Sequence, residues 1–459
     1  MMNTRLAIPA LTVVILLASC KKETVEPDFS DDYKAGGATT IHSAGPDAYT
    51  FPLANIDGAG LARHTEADAL FEQQFVTAPA IRFGGLGPLF NQNACQSCHI
   101  RNGRSQPPVS PSDQASGLLI RLSVPGSGEH GGPAPVPGFG GQFQPKAIFG
   151  GVPEGKLTWT EMQQIVQFLD GGTATLTRAE YRIEEPYQPL PQGILYSPRN
   201  APPVFGLGLL EAVPEEDILA LADENDADGD GISGKPNRVW DVAAGRTALG
   251  RFGWKAGSPT LDQQTAEAFS QDMGISSVFY FPQESCTGQS NCTGGIGDEP
   301  DIARETVETT AFYAMSLAPP APRNLEDPQV QRGKMLFLDA GCNNCHVPTL
   351  TTGNHPLSSL SYQTIHPYTD LLLHDMGEDL ADNRPDFEAG GREWRTAPLW
   401  GVGLTQVVNP NARFLHDGRA ATLEEAVLWH GGEAEESREH FRKLPAEERA
   451  ALLAFLKAL

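Results

Sequence analysis

The chain is short of positive charge. Thirty-three Lys and Arg stand against 57 Asp and Glu, a formal net charge of −24 over 459 residues. That balance disfavours nucleic acid and anionic lipid surfaces, and it favours a basic partner or a cation. Long apolar runs are also missing. Only Leu6–Leu17 approaches one; Pro9 and Thr12 break it, and it is too short for a standard membrane span. No other segment approaches the roughly 18 apolar residues that a spanning helix needs. Cysteine is scarce, seven in all. No further Cys or His pairs lie at the close spacing of a structural zinc site. Gly (48) and Pro (37) are frequent but below the level of a low-complexity chain, so long ordered loops are expected rather than disorder.

What is present is one pentapeptide pattern, twice: Cys95-Gln-Ser-Cys98-His99 and Cys342-Asn-Asn-Cys345-His346. Two thiols at that spacing add to the two vinyl groups of one haem, and the adjacent His becomes the proximal iron ligand. Two covalent haem c groups are therefore expected. The N-terminus supports this. Arg5, the apolar run and Leu17-Ala-Ser-Cys20 form a signal peptide over residues 1–19, ending in a lipobox-like site at which Cys20 would be lipidated. The expected location is the cell envelope, as a periplasm-facing or surface lipoprotein of the outer membrane, touching the membrane only through its lipid. Covalent haem attachment in bacteria also happens outside the cytoplasm. The two remaining cysteines, Cys286 and Cys292, flank a short loop and suggest a disulfide in that compartment.

Residues 20–54 are polar, without a helical period, and read as a flexible tether. A helical pattern runs from Asp68 to Phe75. Residues 124–155 are rich in Gly and Pro and are expected to cover the first haem. A helix over 301–317 ends at Ala318-Pro-Pro-Ala-Pro, the best boundary. The expected division is an N-terminal haem domain, 55–320, and a C-terminal one, 321–459. An amphipathic segment from Val330 leads into the second motif, and Leu452, Leu453, Leu456 and Leu459 share a face of a terminal helix. Thr422-Leu-Glu-Glu425 is a capping box. Both halves look like cytochrome c domains. The fold expected is mainly α, two such haem domains, with the first enlarged by long Gly/Pro-rich loops.

The second axial position decides between electron transfer and chemistry. Met376 lies after the second motif, where a class I cytochrome supplies its thioether, and His374 is its rival. The first motif has no such Met. His64 and His130 are candidate ligands, or the position is open. Asp226, Asp228 and Asp230 occupy the first, third and fifth positions of a calcium-type loop, and Ile232 offers its carbonyl. The twelfth position is Asn237 rather than Glu, so one calcium ion is expected in an incomplete EF-hand-like loop.

Longer strings carry a resemblance. They are Gly206-Leu-Gly-Leu-Leu-Glu211, Gly250-Arg-Phe-Gly-Trp-Lys-Ala256, Tyr368–Asp382, Glu393–Gly401, and Phe414-Leu-His-Asp-Gly-Arg-Ala through Trp429-His-Gly-Gly-Glu433. Together they resemble the bacterial di-haem oxidoreductases, often labelled thiol oxidoreductases, over about residues 60–459. More distantly they resemble the di-haem cytochrome c peroxidases. The resemblance implies that the C-terminal haem takes electrons from an external donor, such as a small basic cytochrome or cupredoxin. The N-terminal haem would then meet a small oxidant such as peroxide. It also implies a distal Gln and Glu as catalytic groups, for which Gln144 and Glu154 have the right order. The Trp that the peroxidases carry between their haems is absent before Gln144, where only Phe139 and Phe143 stand. Two alternatives stay open: a non-enzymatic di-haem electron carrier, and oxidation of an external thiol, since no free reactive Cys is left in the chain.

Overall fold

The computed structural model describes residues 33–459 except 111, 112, 114, 115, 280–285, 287, 293 and 295–299. The signal peptide and Cys20 lie outside the described residues. Where described, no helix is long and apolar enough to cross a membrane.

The helices start where local chemistry dictates. Asp57 caps Gly58–Phe71, its carboxylate accepting from the Gly60 N–H at 2.7 Å. This helix begins ten residues before the apolar pattern that announced it, because Gly58, Ala59 and Gly60 carry no periodic signal. Thr260 caps Leu261–Met273, and Gly274, at φ +66°, ends it in the left-handed turn that glycine adopts without strain. Asp327 caps Pro328–Asp339. Thr422 caps Leu423–Trp429 as expected, its hydroxyl accepting from Glu425 N–H at 3.1 Å, while the Glu425 carboxylate reaches one residue further back, to Ala421 N–H at 2.8 Å.

The expectation of a mainly α protein is overturned. The described residues are 30% helical and 19% strand, and the strands among them are spread over six small sheets. The largest is a hairpin of two twelve-residue strands, Lys156–Gln167 and Thr173–Glu184, paired antiparallel from Lys156↔Glu184 to Gln167↔Thr173. Its turn is Asp170-Gly171-Gly172. Gly171 sits at φ +89°, and the Asp170 carboxylate accepts from Gly172 N–H at 3.0 Å. Strand Leu118–Ser127 pairs with Leu195–Asn200 on one side and Pro133–Ala134 on the other. The β structure therefore fills the segment between the first haem motif and residue 200. Alternating, Thr-rich residues there favour extended chain, and cytochrome-like helices are confined elsewhere.

Residues 33–54 also differ from the tether expected of them. Ala35, Ala48, Tyr49 and Leu53 are buried, and the Tyr49 hydroxyl donates to the Gly401 carbonyl at 2.5 Å. Their core also holds Phe205, Leu209, Phe312, Leu371, Trp400 and Leu404, so it runs across the expected boundary near residue 320. A second core surrounds the second haem motif. There Pro328–Asp339 crosses the terminal helix Ala446–Ala458, and Gly333 lies directly against the Ala451 carbonyl with no room for a Cβ. A buried ion pair ties the halves: Lys255, fully buried, donates to Asp382 at 2.8 Å and to the carbonyls of Arg384 and Gly390 at 2.7 and 2.8 Å. All three ammonium hydrogens are matched, as a buried cation requires.

Candidate haem sites

Both haem motifs sit on short turns, Cys95–Cys98 and Cys342–Asn344, so each pair of thiols stands on one local surface. None of the four sulfurs is in a disulfide. The His after each pair is oriented in the same way. His99 donates its Nδ1–H to the Pro202 carbonyl at 2.8 Å, and His346 donates to the Tyr368 carbonyl at 3.0 Å. That fixes the tautomer with Nε2 free, the arrangement of an iron-ligating imidazole. Burial pushes both rings down to about 4, so both are neutral and able to ligate.

The surroundings of the two motifs differ. Cys95, Cys98 and His99 open onto a cavity of about 550 Å³, within the roughly 300–1,000 Å³ of ligand and cofactor sites. Residues of both halves wall it, including Phe205, Trp254, Arg384 and Trp400. The Gly/Pro-rich stretch contributes Glu129, His130, Pro133 and Pro135. His130 lies on the wall, stacked on Trp240 with ring centroids 3.8 Å apart. His64 does not line the cavity. Its Nδ1 pairs with the Ser316 hydroxyl at 2.8 Å, and its ring rests beside Tyr313.

At the second motif Cys342, Cys345 and His346 are half-buried. Met376 lies partly buried against the second core. His374 is not available as a ligand. It donates from Nε2 to Asp370 at 2.8 Å and from Nδ1 to Glu433 at 2.7 Å, and those carboxylates hold it well above the ordinary imidazole range despite its burial. Another His emerges. His430, at the end of Leu423–Trp429, donates Nδ1–H to the Ala426 carbonyl at 2.7 Å, which leaves Nε2 free as in His99 and His346. It is close enough to His346 to depress that ring's pKa. As sequence, Trp429-His430-Gly-Gly carries a resemblance but no ligand spacing. The signal was an imidazole at a helix end before two glycines.

Gln144 and Glu154 come together, one layer behind the cavity. The Glu154 carboxylate accepts from Gln144 N–H at 2.6 Å and from Gln289 Nε2 at 2.5 Å. Gln144 Nε2 donates to the carbonyl of Gln271, a residue on the cavity wall. Glu154 is fully buried, and that burial raises its pKa to about 8. Cys286 and Cys292, which flank Gln289, are joined in a disulfide with Cα atoms 5.6 Å apart.

In the acidic loop, Asp223, Asp226 and Asp228 are the carboxylates that cluster, within 4.8 Å of one another. Asp230 instead accepts from Ile232 N–H at 2.9 Å. Asp223 stands three residues ahead of the motif, outside the calcium-loop spacing. The loop is attached to the second haem site, since Ser233 Oγ donates to Glu433 at 2.6 Å.

The residues at the first motif suit haem. Two thiols and a free imidazole nitrogen share the cavity with the side chains of Arg121 and Arg384, each of which keeps a buried Nε without a protein partner. Residues 29–459 match the family model described as "di-haem oxidoreductase, putative peroxidase". The chain belongs to that family. As a di-haem oxidoreductase family member it is expected to carry two haems, one at each motif. No curated protein matches the chain. Among solved structures, the hydrazine synthase of Kuenenia stuttgartiensis pressurised with 20 bar xenon matches at 12% identity and a TM-score of 0.35, covering 100% of each chain. The functional argument for this di-haem oxidoreductase therefore rests on its own residues.

Proposed function

We propose that the N-terminal haem is the site where a peroxide or another small oxidant reacts, and that the C-terminal haem receives electrons from an external donor. The cavity of about 550 Å³ at the first motif carries this reading, together with two candidate ligating side chains, Met376 and His430, gathered near the second. When bound, haem c supplies one-electron chemistry at its iron. The protein's own part is orientation and access. Pro202 holds His99 with Nε2 free, and the cavity is where the haem would sit and a small oxidant would reach it. His130, on the Gly/Pro-rich wall, stands where it can accept or return a proton. Glu154 and Gln144 act through Gln271, as positioning groups rather than groups that touch the oxidant. Met376 or His430 would be the second side chain to hold the C-terminal haem, which would keep that haem to electron transfer.

Low-temperature electron paramagnetic resonance of the holoprotein, before and after one-electron reduction, tests the division. The expected result is a high-spin first haem that changes on adding peroxide and a low-spin second haem that does not. Two low-spin haems with no peroxide reaction would leave the electron-carrier reading in its place. Met376→Ala and His430→Ala identify the second ligand, because only the true ligand's loss opens that haem.

Two further parts of the reading concern the exterior. Cys20 carries a lipid that anchors the protein to the outer membrane, and a cation sits in the acidic loop. Cys20→Ser is expected to move the protein to the soluble fraction. A chelator is expected to lower the melting temperature, and Asp226→Asn to abolish the chelator's effect. Membrane retention of the first variant, or a chelator-blind wild type, would remove the respective claim.

A further inference from the structure

Six arginines line the first cavity: Arg104, Arg121, Arg199, Arg251, Arg384 and Arg395. Four are held by protein acceptors. Arg104 donates to the carbonyls of Arg413 and Leu415, and Arg251 to those of Leu210 and Val213. Arg395 donates to those of Gly253 and Thr396, and Arg199 pairs with Asp386 at 2.9 Å. Arg121 and Arg384 are different. Each keeps a buried Nε without any partner. Arg384 is only 4% exposed; its remaining contacts are Asp386 at 3.3 Å and the Leu122 carbonyl at 3.4 Å.

The charges around this pair do not balance. Asp386 serves both Arg199 and Arg384. Asp382 is engaged by Lys255. Asp272, the carboxyl facing Arg121, is pushed toward its neutral form by burial. Arg121 and Arg199 both repel Arg384, whose pKa falls to about 10, chiefly through burial. A buried guanidinium with an unmatched donor is costly unless an anion completes it, and a planar carboxylate fits the fork best.

We propose that Arg121 and Arg384 form a carboxylate-binding pair on the cavity wall, and that they hold the propionate edge of the haem attached at Cys95 and Cys98. Arg121 comes from strand Leu118–Ser127 in the N-terminal half, and Arg384 comes from the C-terminal half. One cofactor edge thus closes the seam between the halves. The proposal rests on the haem-attachment reading of the first motif and is independent of the peroxide reading.

Spectroelectrochemical titration of the full-length holoprotein tests it, with Arg121→Gln, Arg384→Gln and Arg384→Lys. Removing a guanidinium leaves a propionate charge uncompensated and favours the ferric state. The first haem's midpoint potential is therefore expected to fall in both Gln variants and to recover in Arg384→Lys, while the second haem's stays put. Arg121→Gln keeps the test alive should Arg384→Gln fail to fold. In a second arm, succinate is titrated into the wild type, and no spectral change is expected. A succinate-induced change that Arg121→Gln abolishes, with unmoved potentials, would assign the pair to a soluble carboxylate and overturn the propionate assignment. Unmoved potentials with no succinate effect would overturn the pair altogether. A low-spin first haem, the failure of the peroxide reading, leaves these comparisons intact.

Discussion

Digestion of the holoprotein yields two haem-bearing peptides, one containing Cys95–His99 and one containing Cys342–His346. Changing Cys95 and Cys98 together to Ser removes the first and leaves the second. The sites are independent because each has its own pair of thiols and its own carbonyl-oriented His. The consequence for the N-terminal half is large. An empty apolar space of about 550 Å³ would cost on the order of 13 kcal/mol at about 24 cal/mol per Å³, comparable to the stability of a whole domain. Water and relaxation around the arginines reduce that figure, but the cavity is not expected to keep its shape. The variant should therefore lose peroxide reactivity and become protease-sensitive in residues 124–155, while the second haem keeps its spectrum. A single haem peptide from the wild type would sink the two-site assignment, as would a double variant that keeps both.

Glu154 makes stability fall as pH rises. The unfolded chain releases this proton near pH 4.5 and the folded chain near pH 8. Between those values the native state holds a proton that the unfolded state has lost, so each step up in pH favours unfolding. Below pH 4.5 the group has no effect, and above about pH 8 its full penalty is present. That penalty is on the order of 5 kcal/mol. The neutral form has a place to donate. Gln289 Oε1 is buried without a partner, and an amide flip would turn it toward Glu154. Glu154→Gln stays neutral throughout, so its melting temperature should be flatter than the wild type's between pH 5 and 8, and higher at pH 8. Parallel curves for the two proteins would show that Glu154 ionises normally.

Much of the haem chemistry was legible in the chain itself. The spacing of Cys95, Cys98 and His99, and of Cys342, Cys345 and His346, is a covalent requirement of the cofactor and needs no tertiary context. Caps were legible for a similar reason. Thr422 accepts from the Glu425 N–H and Glu425 from the Ala421 N–H, both within one turn. The long hairpin was legible too, in the alternation of Thr173–Glu184 and the Asp-Gly-Gly turn, but the haem motifs drew the reading toward helices.

The rest depended on distance across the chain. His64 and His130 were equal candidates as sequence; packing sent one to Ser316 and the other to the cavity wall. Met376 and His374 were rivals until Asp370 and Glu433 took both nitrogens of His374, and His430 entered from more than fifty residues away. Arg121 and Arg384 gain meaning only as a pair facing one space. The sequence by itself determined which cofactor attaches and where, because thioether attachment and proximal ligation are made by five consecutive residues. The tertiary structure decided which side chains gather at each motif, because a candidate ligand, a proton donor and a counter-charge are set by burial and by neighbours that no local spacing specifies.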